Sequence, residues 1–396
     1  MRILKGVLTM DKYFWRLKKQ SLLFFAVLVL FSGFSSCKVY KAYQTIVDLQ
    51  RDYEIVNEKK IPRLEYIEAI PIIHLYGNNR QMGEQYGSIL KPQLESMVVI
   101  GKGLFPKKAL QKFIEQAKLA EPYLPADIKD FIEGMAFTSG VSYHLLLALN
   151  LTPRTTCSVL AVWGEATADG KLLMGRNADY NFKSVNKALG IIVVRHPDEG
   201  LATVSSSFLG LAGTFTGMNE AGVSYGNMLV YNGEDNGVNH KGMPIQLLMQ
   251  MGGEKCSTAA DMTDYLTDKS HMIPINVMCA DANEALLSEL TPERWAVRKG
   301  TKGVLAATNF FFASGMFTKH VNEQRFANLM HLSKKYHGSF DIDKLQEAMH
   351  SARQLNENLQ CVLFEPEAMR MHVSMNKVPA SAGPFTVFDV NVLLNQ

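Results

Sequence analysis

The pattern of apolar residues changes at Cys157. The first 150 residues read mainly as helices, and after Cys157 come short apolar segments bounded by turn residues. Two of these segments, Ser158–Trp163 and Lys171–Met174, predict two strands that are joined by a turn at Ala168–Gly170. Strands in succession, then helices, then strands again indicate an antiparallel sheet layered with helices, that is, an α+β fold.

The other predicted elements agree with one compact body, because no internal repeat or low-complexity linker interrupts the chain. Pro122–Leu149 predicts two helices that break at Ser139-Gly140, where glycine punctuates the pattern. Strands are predicted at Ile70–Tyr76, Ile191–Arg195, Ala202–Ser205, Gly222–Tyr225, Gln360–Phe364 and Met369–Met375, and helices after Gly83 through Leu94 and at Pro244–Gln250, Thr258–Leu266 and Val321–Tyr336.

The N-terminal segment indicates export. Basic residues precede the apolar run Leu22–Leu30, and small residues follow it, as in a secretory signal peptide. Ser35-Ser36-Cys37 resembles a bacterial lipoprotein signal, in which Cys37 is acylated and becomes the first residue; a plain signal peptide or an uncleaved anchor are the alternatives. We therefore expect an exported lipoprotein held at a bacterial membrane, in the periplasm or at the cell surface.

The predicted organisation has four parts. Residues 1–36 form the signal peptide and residues 37–68 a tether with an early helix. Residues 69–156 form a mainly helical segment that is combined with residues 157–396 in one compact domain.

The charge of the chain argues against nucleic acid as a partner. The 41 basic and 38 acidic residues give a net charge of +3, but residues 1–36 hold six of the basic residues and one of the acidic residues. The remaining 35 basic and 37 acidic residues leave a nearly neutral body without a basic patch. No metal-binding or phosphate-loop motif is present, so we expect neither a metal nor another cofactor.

Cys157 differs from the other cysteines by its surroundings in sequence. The returning strand ends in Gly175–Asp179, and a hairpin can bring Arg176 and Asp179 close to Cys157. A cation beside a thiol favours the thiolate, and a carboxylate can stabilise an ammonium group. The alternative is that Cys157 is a small buried apolar residue and that Arg176 and Asp179 form a structural ion pair. For Cys256, Cys279 and Cys361 we expect ordinary buried or unpaired thiols.

The segment from Cys157 to Asp179 resembles the start of the catalytic subunit in the acyl-coenzyme A:6-aminopenicillanic-acid acyltransferase family. These proteins are N-terminal-nucleophile (Ntn) hydrolases related to bile salt hydrolase and penicillin V acylase. Further stretches that resemble the family follow in the expected order, at Gly77–Gly87, Glu133–Gly140, Gly217–Ser224, Ala307–Asn309 and Gln324–Phe326.

The resemblance implies a four-layer αββα sandwich of antiparallel sheets and self-cleavage between Thr156 and Cys157. Cleavage would give Cys157 both a nucleophilic thiol and an α-amine that acts as general base near neutral pH. Thr156 immediately precedes the nucleophile, a position at which the penicillin acyltransferase usually has glycine.

The resemblance also implies roles for further residues. Arg176 and Asp179 would support the thiolate and the α-ammonium, and Asn309 would help to hold the reacting centre with its side-chain N–H serving an oxyanion. Asn227 is the expected second oxyanion contributor, and Arg325 matches an arginine that precedes an aromatic residue; a helix-surface arginine is the alternative for Arg325.

The function implied is cleavage of a non-peptide linear amide through a thioester acyl-enzyme, with a small N-acyl compound as substrate. Transfer of the acyl group to water gives a hydrolase, and transfer to an amine gives an acyltransferase. A surface lipoprotein that binds a ligand without catalysis is the alternative from another class. The oligomeric state is not predicted.

Overall fold

Two β-sheets pack face to face in the computed structural model, which describes residues 41, 61–151, 156–180, 189–230, 238–313, 316 and 323–396. The predicted signal peptide, the lipidation site Cys37 and most of the tether at 37–68 lie outside these described residues. In the described ranges the strands are β1 (Arg63–Ile67), β2 (Ile70–Gly77), β3 (Thr156–Val162), β4 (Leu173–Asp179), β5 (Gly190–Pro197), β6 (Thr203–Phe208), β7 (Thr216–Asn219), β8 (Ser224–Leu229), β9 (Ile275–Ala280), β10 (Ala285–Leu290), β11 (Trp295–Lys299), β12 (Val304–Ala307), β13 (Asn358–Glu365), β14 (Arg370–Met375) and β15 (Thr386–Asp389).

The strands of the described chain form a large and a small sheet. The large sheet has nine strands in the order β1-β2-β5-β6-β7-β8-β9-β10-β11, and the small sheet has six in the order β12-β3-β4-β13-β14-β15. The hairpin predicted after Cys157 is present, since β3 and β4 pair antiparallel with Cys157 opposite Ala178. The small sheet therefore holds Cys157 at the start of one of its inner strands.

Helices cover the outer face of each sheet. The helices of the described ranges are α1 (Asn79–Ile89), α2 (Lys91–Leu104), α3 (Lys107–Ala120), α4 (Ala126–Ser139), α5 (Tyr143–Leu149), α6 (Ile245–Gly253), α7 (Ala259–Thr267), α8 (Gln324–Lys335), α9 (Ile342–Ser351) and α10 (Val390–Leu394). None of them is long and apolar enough to cross a membrane.

Three apolar clusters hold the layers together. The first lies between the two sheets and contains Cys157 and Met174 of the small sheet with Met228 and Met278 of the large sheet. The second packs α1–α7 on the other face of the large sheet. The third packs α8 and α9 on the other face of the small sheet. The αββα sandwich is therefore confirmed, and burial of its apolar surface between layers is the main force that orders them.

Helices α1 and α4 approach each other closely because glycines line their contact. A Cβ atom added at Gly83 would lie 2.1 Å from the carbonyl oxygen of Phe131, and one at Gly134 would lie 2.4 Å from that of Arg80. No side chain fits at either position without displacing a backbone. The helical layer therefore depends on these glycines for its packing.

The sheets differ from the predictions in several details. β2 pairs with β5 in parallel, although the other ladders are antiparallel. Arg63–Ile67, within the segment predicted as a tether with an early helix, forms edge strand β1. The helix predicted through Leu94 is two helices, because α1 ends before Leu90, its C-cap, and α2 begins at Lys91 with Pro92 in its first turn. Strands β9 to β12 were not predicted, since β9 and β10 are buried on both faces and show no alternation.

Candidate active site

The thiol of Cys157 lies between the two sheets against a buried guanidinium. Cys157 is the second residue of β3 and is fully buried. Its Sγ atom lies 3.0 Å from Nη2 of Arg176, which projects from the neighbouring strand β4. Both side chains point into the space between the sheets, because Arg176 lies two positions before Ala178, the partner of Cys157 in the ladder.

Arg176 is held by neutral oxygen atoms as well as by the thiol. Its Nη1 donates to the Thr216 hydroxyl at 2.7 Å, and its Nη2 donates to the main-chain oxygen of Asn227 at 3.0 Å. Gly226 leaves room for the arginine stem, since a Cβ atom there would lie 3.0 Å from Cγ of Arg176. A buried guanidinium is costly unless it is paired. This arrangement therefore places a buried cation in contact with the sulfur of Cys157.

The side chain of Asn309 binds the main-chain nitrogen of Cys157. The Oδ1 atom of Asn309, two residues after β12, accepts from Cys157 N at 3.0 Å and from Nη2 of Arg325 at 2.8 Å. The Nδ2 atom donates to the main-chain oxygen of Leu229. A flipped amide would face two donors with its own NH2 group, so the hydrogen bonds fix this orientation. Asn309 is thus oriented to hold the nitrogen of Cys157, and its side-chain N–H, which is predicted to serve an oxyanion, donates to Leu229 in this structure.

Arg325 joins three parts of the site from the first turn of α8. Its Nη1 donates to the main-chain oxygen of Cys157 at 3.2 Å and lies 3.6 Å from Oδ2 of Asp179. Its Nε donates to Glu323 at 2.6 Å. Arg325 is buried, so the alternative of a helix-surface arginine is not what the structure shows.

The carboxyl group of Asp179 lies on the other face of the small sheet from the Cys157 thiol. Its ladder partner is Thr156, whose hydroxyl donates to the Asp179 main-chain oxygen at 3.4 Å. Oδ1 accepts from Asn358 at 2.8 Å, and Oδ2 accepts no hydrogen bond from the described residues. Burial raises the pKa of Asp179 to about 7, against the opposing effects of the Asn358 hydrogen bond and the Arg325 charge.

Asn227 lies beside Arg176 on β8. Its Oδ1 is 3.4 Å from Nη2 of Arg176, and its main-chain oxygen also accepts from that atom. Arg176 therefore contacts the side-chain oxygen of Asn227, and the Nδ2 group is the hydrogen-bond donor of this amide. This geometry is compatible with the predicted oxyanion role of Asn227.

The structure also adds two residues to the site that the sequence did not indicate. Thr216 lies in the Gly210–Gly217 run, which predicts only a turn between strands, and its hydroxyl binds Arg176. Asn358 begins β13, and it reaches Asp179 because β13 pairs with β4. That long-range pairing leaves no local pattern in the sequence.

The other cysteines of the described chain lack such surroundings. Cys256, Cys279 and Cys361 are buried and form no disulfide, which confirms their interpretation as ordinary thiols. Burial raises the pKa of Cys256 to about 11 and raises those of Cys279 and Cys361 as well. Within the described residues, no three His, Cys, Asp or Glu side chains come together in a group that could hold a metal ion.

The sequence matches one protein-family model over more than half of its length. The model, described as acyl-coenzyme A:6-aminopenicillanic acid acyl-transferase, matches residues 166–377 of the 396. Among curated proteins, dcd1B of Dictyostelium discoideum is 28% identical over 255 residues, which cover 56% of this chain and 50% of that protein. The protein dcd1A of the same organism is 26% identical over 218 residues, which cover 46% of this chain and 49% of that protein. The chain thus spans about half the length of these curated relatives.

Similar solved structures have low sequence identity to this chain. An N-acylethanolamine-hydrolyzing acid amidase ortholog from Caenorhabditis elegans has a TM-score of 0.43 and 17% identity, covering 53% of this chain and 93% of its own. A mutant of conjugated bile acid hydrolase from Clostridium perfringens has a TM-score of 0.43 and 14% identity, covering 60% and 93%.

Proposed function

This chain belongs to the acyl-coenzyme A:6-aminopenicillanic acid acyl-transferase family, and we propose that it is an Ntn cysteine amidohydrolase activated by cleavage between Thr156 and Cys157. The observation that supports this most directly is the environment of Cys157. Its main-chain nitrogen binds Asn309, its main-chain oxygen binds Arg325, and its sulfur binds Arg176. These three contacts hold the two groups through which the residue would react, its thiol and its nitrogen.

Activation begins with attack of the Cys157 thiol on the carbonyl carbon of Thr156. The thiol loses its proton, the Thr156–Cys157 C–N bond breaks, and the nitrogen takes up a proton in exchange and becomes an α-amine, so that a thioester remains. Water then hydrolyses the thioester to a Thr156 carboxylate and a Cys157 thiol. The new α-amino group has a reference pKa of about 7.7 to 8.0, which suits a general base near neutral pH.

Turnover uses the same two groups. The α-amine accepts the thiol proton, the thiolate attacks the amide carbon of the substrate, and the leaving amine takes a proton from the α-ammonium. Arg176 stabilises the thiolate before attack, and the Nδ2 group of Asn227 is the candidate donor to the oxyanion. Water attacks the acyl-enzyme thioester and releases a carboxylic acid. Asn309, through Oδ1, holds the amine in the position that the main-chain nitrogen occupies before cleavage.

The substrate class is a small compound with a linear N-acyl bond. Candidates are N-acyl amino acids, bile salt conjugates, N-acyl lipids and the side-chain amides of β-lactams. An acyltransferase would differ only in the nucleophile that reaches the thioester, an amine instead of water. We propose hydrolysis, because an exported protein has little access to acyl-coenzyme A as a donor.

Export and membrane attachment through Cys37 belong to the same proposal. The support is the sequence Ser35-Ser36-Cys37 after an apolar run. Labelling with a fatty-acid analogue in a bacterial host would show incorporation into the wild-type protein and none into Cys37→Ala. Equal labelling of both proteins would remove Cys37 as the site.

The test of the proposed activity is intact mass and N-terminal sequencing of the purified protein and its Cys157→Ala variant. We expect a fragment of 240 residues that begins at Cys157 in the wild type and an uncut chain in the variant. Cys256→Ala, which removes a buried thiol away from the site, is the matched control and is expected to be cut. An uncut wild-type chain, or hydrolysis of a panel of N-acyl amides by Cys157→Ala, would contradict the proposal.

A further inference from the structure

Two buried polar side chains of the large sheet hold the loop that carries Asn309. This loop, residues 308–313, follows β12 of the small sheet. Asn276 on β9 and Glu289 on β10 are opposite each other in the ladder, and both are fully buried. Their side chains therefore share one face of the sheet, the face that carries Met278 and Leu287 in the cluster between the sheets. The loop is thus fastened to the sheet opposite the one that contains Cys157.

Asn276 binds the loop on both sides of Asn309. Its Nδ2 donates to the main-chain oxygen of Thr308 at 3.0 Å and to that of Phe310 at 2.8 Å. Its Oδ1 has no hydrogen-bond partner among the described residues. Burial of an unsatisfied amide oxygen costs about 1 to 3 kcal/mol. A position that served packing alone would be filled better by an apolar side chain, so the donor group is what Asn276 contributes.

Glu289 fixes the far end of the same loop. Its carboxylate accepts from the main-chain nitrogen of Phe312 at 3.0 Å and from that of Ala313 at 2.7 Å. Arg298 on β11 donates to it at 2.6 Å and stacks over the Phe312 ring at 5.2 Å. The buried charge is therefore compensated by one cation and two main-chain donors. The loop is held at three of its main-chain groups on the C-terminal side of Asn309.

We propose that Asn276 is a positioning residue for the reaction and that Glu289 supports it from the neighbouring strand. By holding the two carbonyl groups that flank Asn309, Asn276 keeps Oδ1 of Asn309 3.0 Å from the nitrogen of Cys157. The inference rests on the proposed function, in which that nitrogen becomes the general base. A displacement of about 1 Å at such a group lowers rates by up to a hundredfold.

The test is Asn276→Asp, which has nearly the same shape but cannot donate to both carbonyl oxygens, because a carboxyl group has at most one O–H donor. We expect kcat to fall by about tenfold or more while KM changes little, because the change acts on the base and not on substrate binding. The double variant with Asn309→Ala decides how the effect arises. If Asn276 acts through Asn309, adding Asn276→Asp to the Asn309→Ala variant does not lower kcat further. Nor does it slow the cleavage of an uncut protein further.

Asn219→Asp is the matched control. Asn219 is also a fully buried asparagine whose Nδ2 donates to two main-chain oxygens, but these belong to Gly253, the last residue of α6, and to Cys256 in the connection to α7. We expect this variant to lower the melting temperature and to leave kcat within about twofold at temperatures where it is folded. Equal losses of kcat in the two variants would mean that Asn276 acts through stability, and would overturn the inference.

A crystal structure of Asn276→Asp separates this inference from the proposed function. We expect the hydrogen bond between Asn309 Oδ1 and Cys157 N to be broken while β9 keeps its place. An unmoved Asn309, or effects that add in the double variant, would overturn the positioning role. A wild-type protein without amidase activity would overturn the proposed function, and the displacement of Asn309 would still be measured.

Discussion

Asp179 and Cys157 lie on neighbouring strands, but their side chains point to opposite faces of the small sheet. Asp179 pairs with Thr156 in the ladder, one residue before the pair of Cys157 and Ala178. The link between the carboxylate and the reacting residue is Arg325, which contacts both. The roles inferred for the two residues therefore depend on a third residue from a helix of another part of the chain.

Replacement of Arg176 by lysine tests the support of the thiolate. Lysine keeps the charge but cannot reach the sulfur, the Thr216 hydroxyl and the Asn227 carbonyl together, because it lacks the planar fork of arginine. We expect kcat/KM to fall by about tenfold or more, with a similarly slower alkylation of Cys157 by iodoacetamide. Arg370→Lys, at an exposed arginine on β14, is the control. An unchanged alkylation rate in Arg176→Lys would contradict this role.

The buried carboxyl group of Asp179 predicts how stability depends on pH before cleavage. Burial raises its pKa from 3.8 to about 7, so between these values the folded protein binds more protons than the unfolded chain. Stability due to this group is present below about pH 4 and is lost as the pH rises through about 7. We expect the uncut Cys157→Ala protein to melt several degrees lower at about pH 8 than at about pH 5.

The double variant Cys157→Ala/Asp179→Asn isolates the contribution of this group. Asparagine has the same shape and does not titrate, so most of the difference between the two pH values is expected to disappear. Scanning calorimetry of both proteins in matched buffers gives the comparison. The same pH difference in both proteins would assign the effect to other groups.

Removal of the Arg325 charge should move the pH dependence of turnover. Arg325 lowers the pKa of Asp179, so its loss raises that pKa further. If the Asp179 carboxylate must be ionised to stabilise the α-ammonium, the acidic limb of kcat/KM moves to higher pH in Arg325→Met. A pH–rate profile from about pH 5 to about 9 measures the shift. If the acidic limb stays at the same pH and kcat/KM only falls at every pH, the result would count against an electrostatic effect of Arg325 on Asp179.

The packing of α1 on α4 predicts a loss of stability in Gly83→Ala. The new Cβ atom would lie 2.1 Å from the Phe131 carbonyl oxygen, so one helix must move. We expect the free energy of unfolding to fall by about 1 to 3 kcal/mol. In Gly101→Ala the Cβ atom of α2 meets nothing within 4 Å, and the better helix propensity of alanine is expected to add about 0.5 to 1 kcal/mol. Urea denaturation measures both, and equal effects would contradict the packing argument.

The sequence predicted those parts of the site that local patterns specify. The β3–β4 hairpin could be predicted from two apolar segments around a turn, and it brings Arg176 to Cys157. The resemblance to the acyltransferase family supplied Asn309 and Arg325, which no local pattern links to Cys157. Even so, the orientation of the Asn309 amide depends on Leu229 and Arg325, and only the three-dimensional arrangement shows it.

Other parts of the structure could not be predicted because their cause is not local. The parallel pairing of β2 with β5 joins segments more than a hundred residues apart, and nothing in either strand distinguishes a parallel from an antiparallel partner. Strands β9 and β10 lack an alternating pattern because both of their faces are buried. Thr216 and Asn358 were missed for the related reason that their partners come from other strands.

The parallel ladder between β2 and β5 has a consequence for the product of cleavage. Ile72–Gly77 and Ile192–Pro197 lie on opposite sides of the Thr156–Cys157 bond in the sequence, yet they are neighbours in the interior of one sheet. A cut at that bond would act as a nick within a continuous hydrogen-bonded layer. The two chains would stay associated through the native purification, and they would separate only when the sheet itself is denatured.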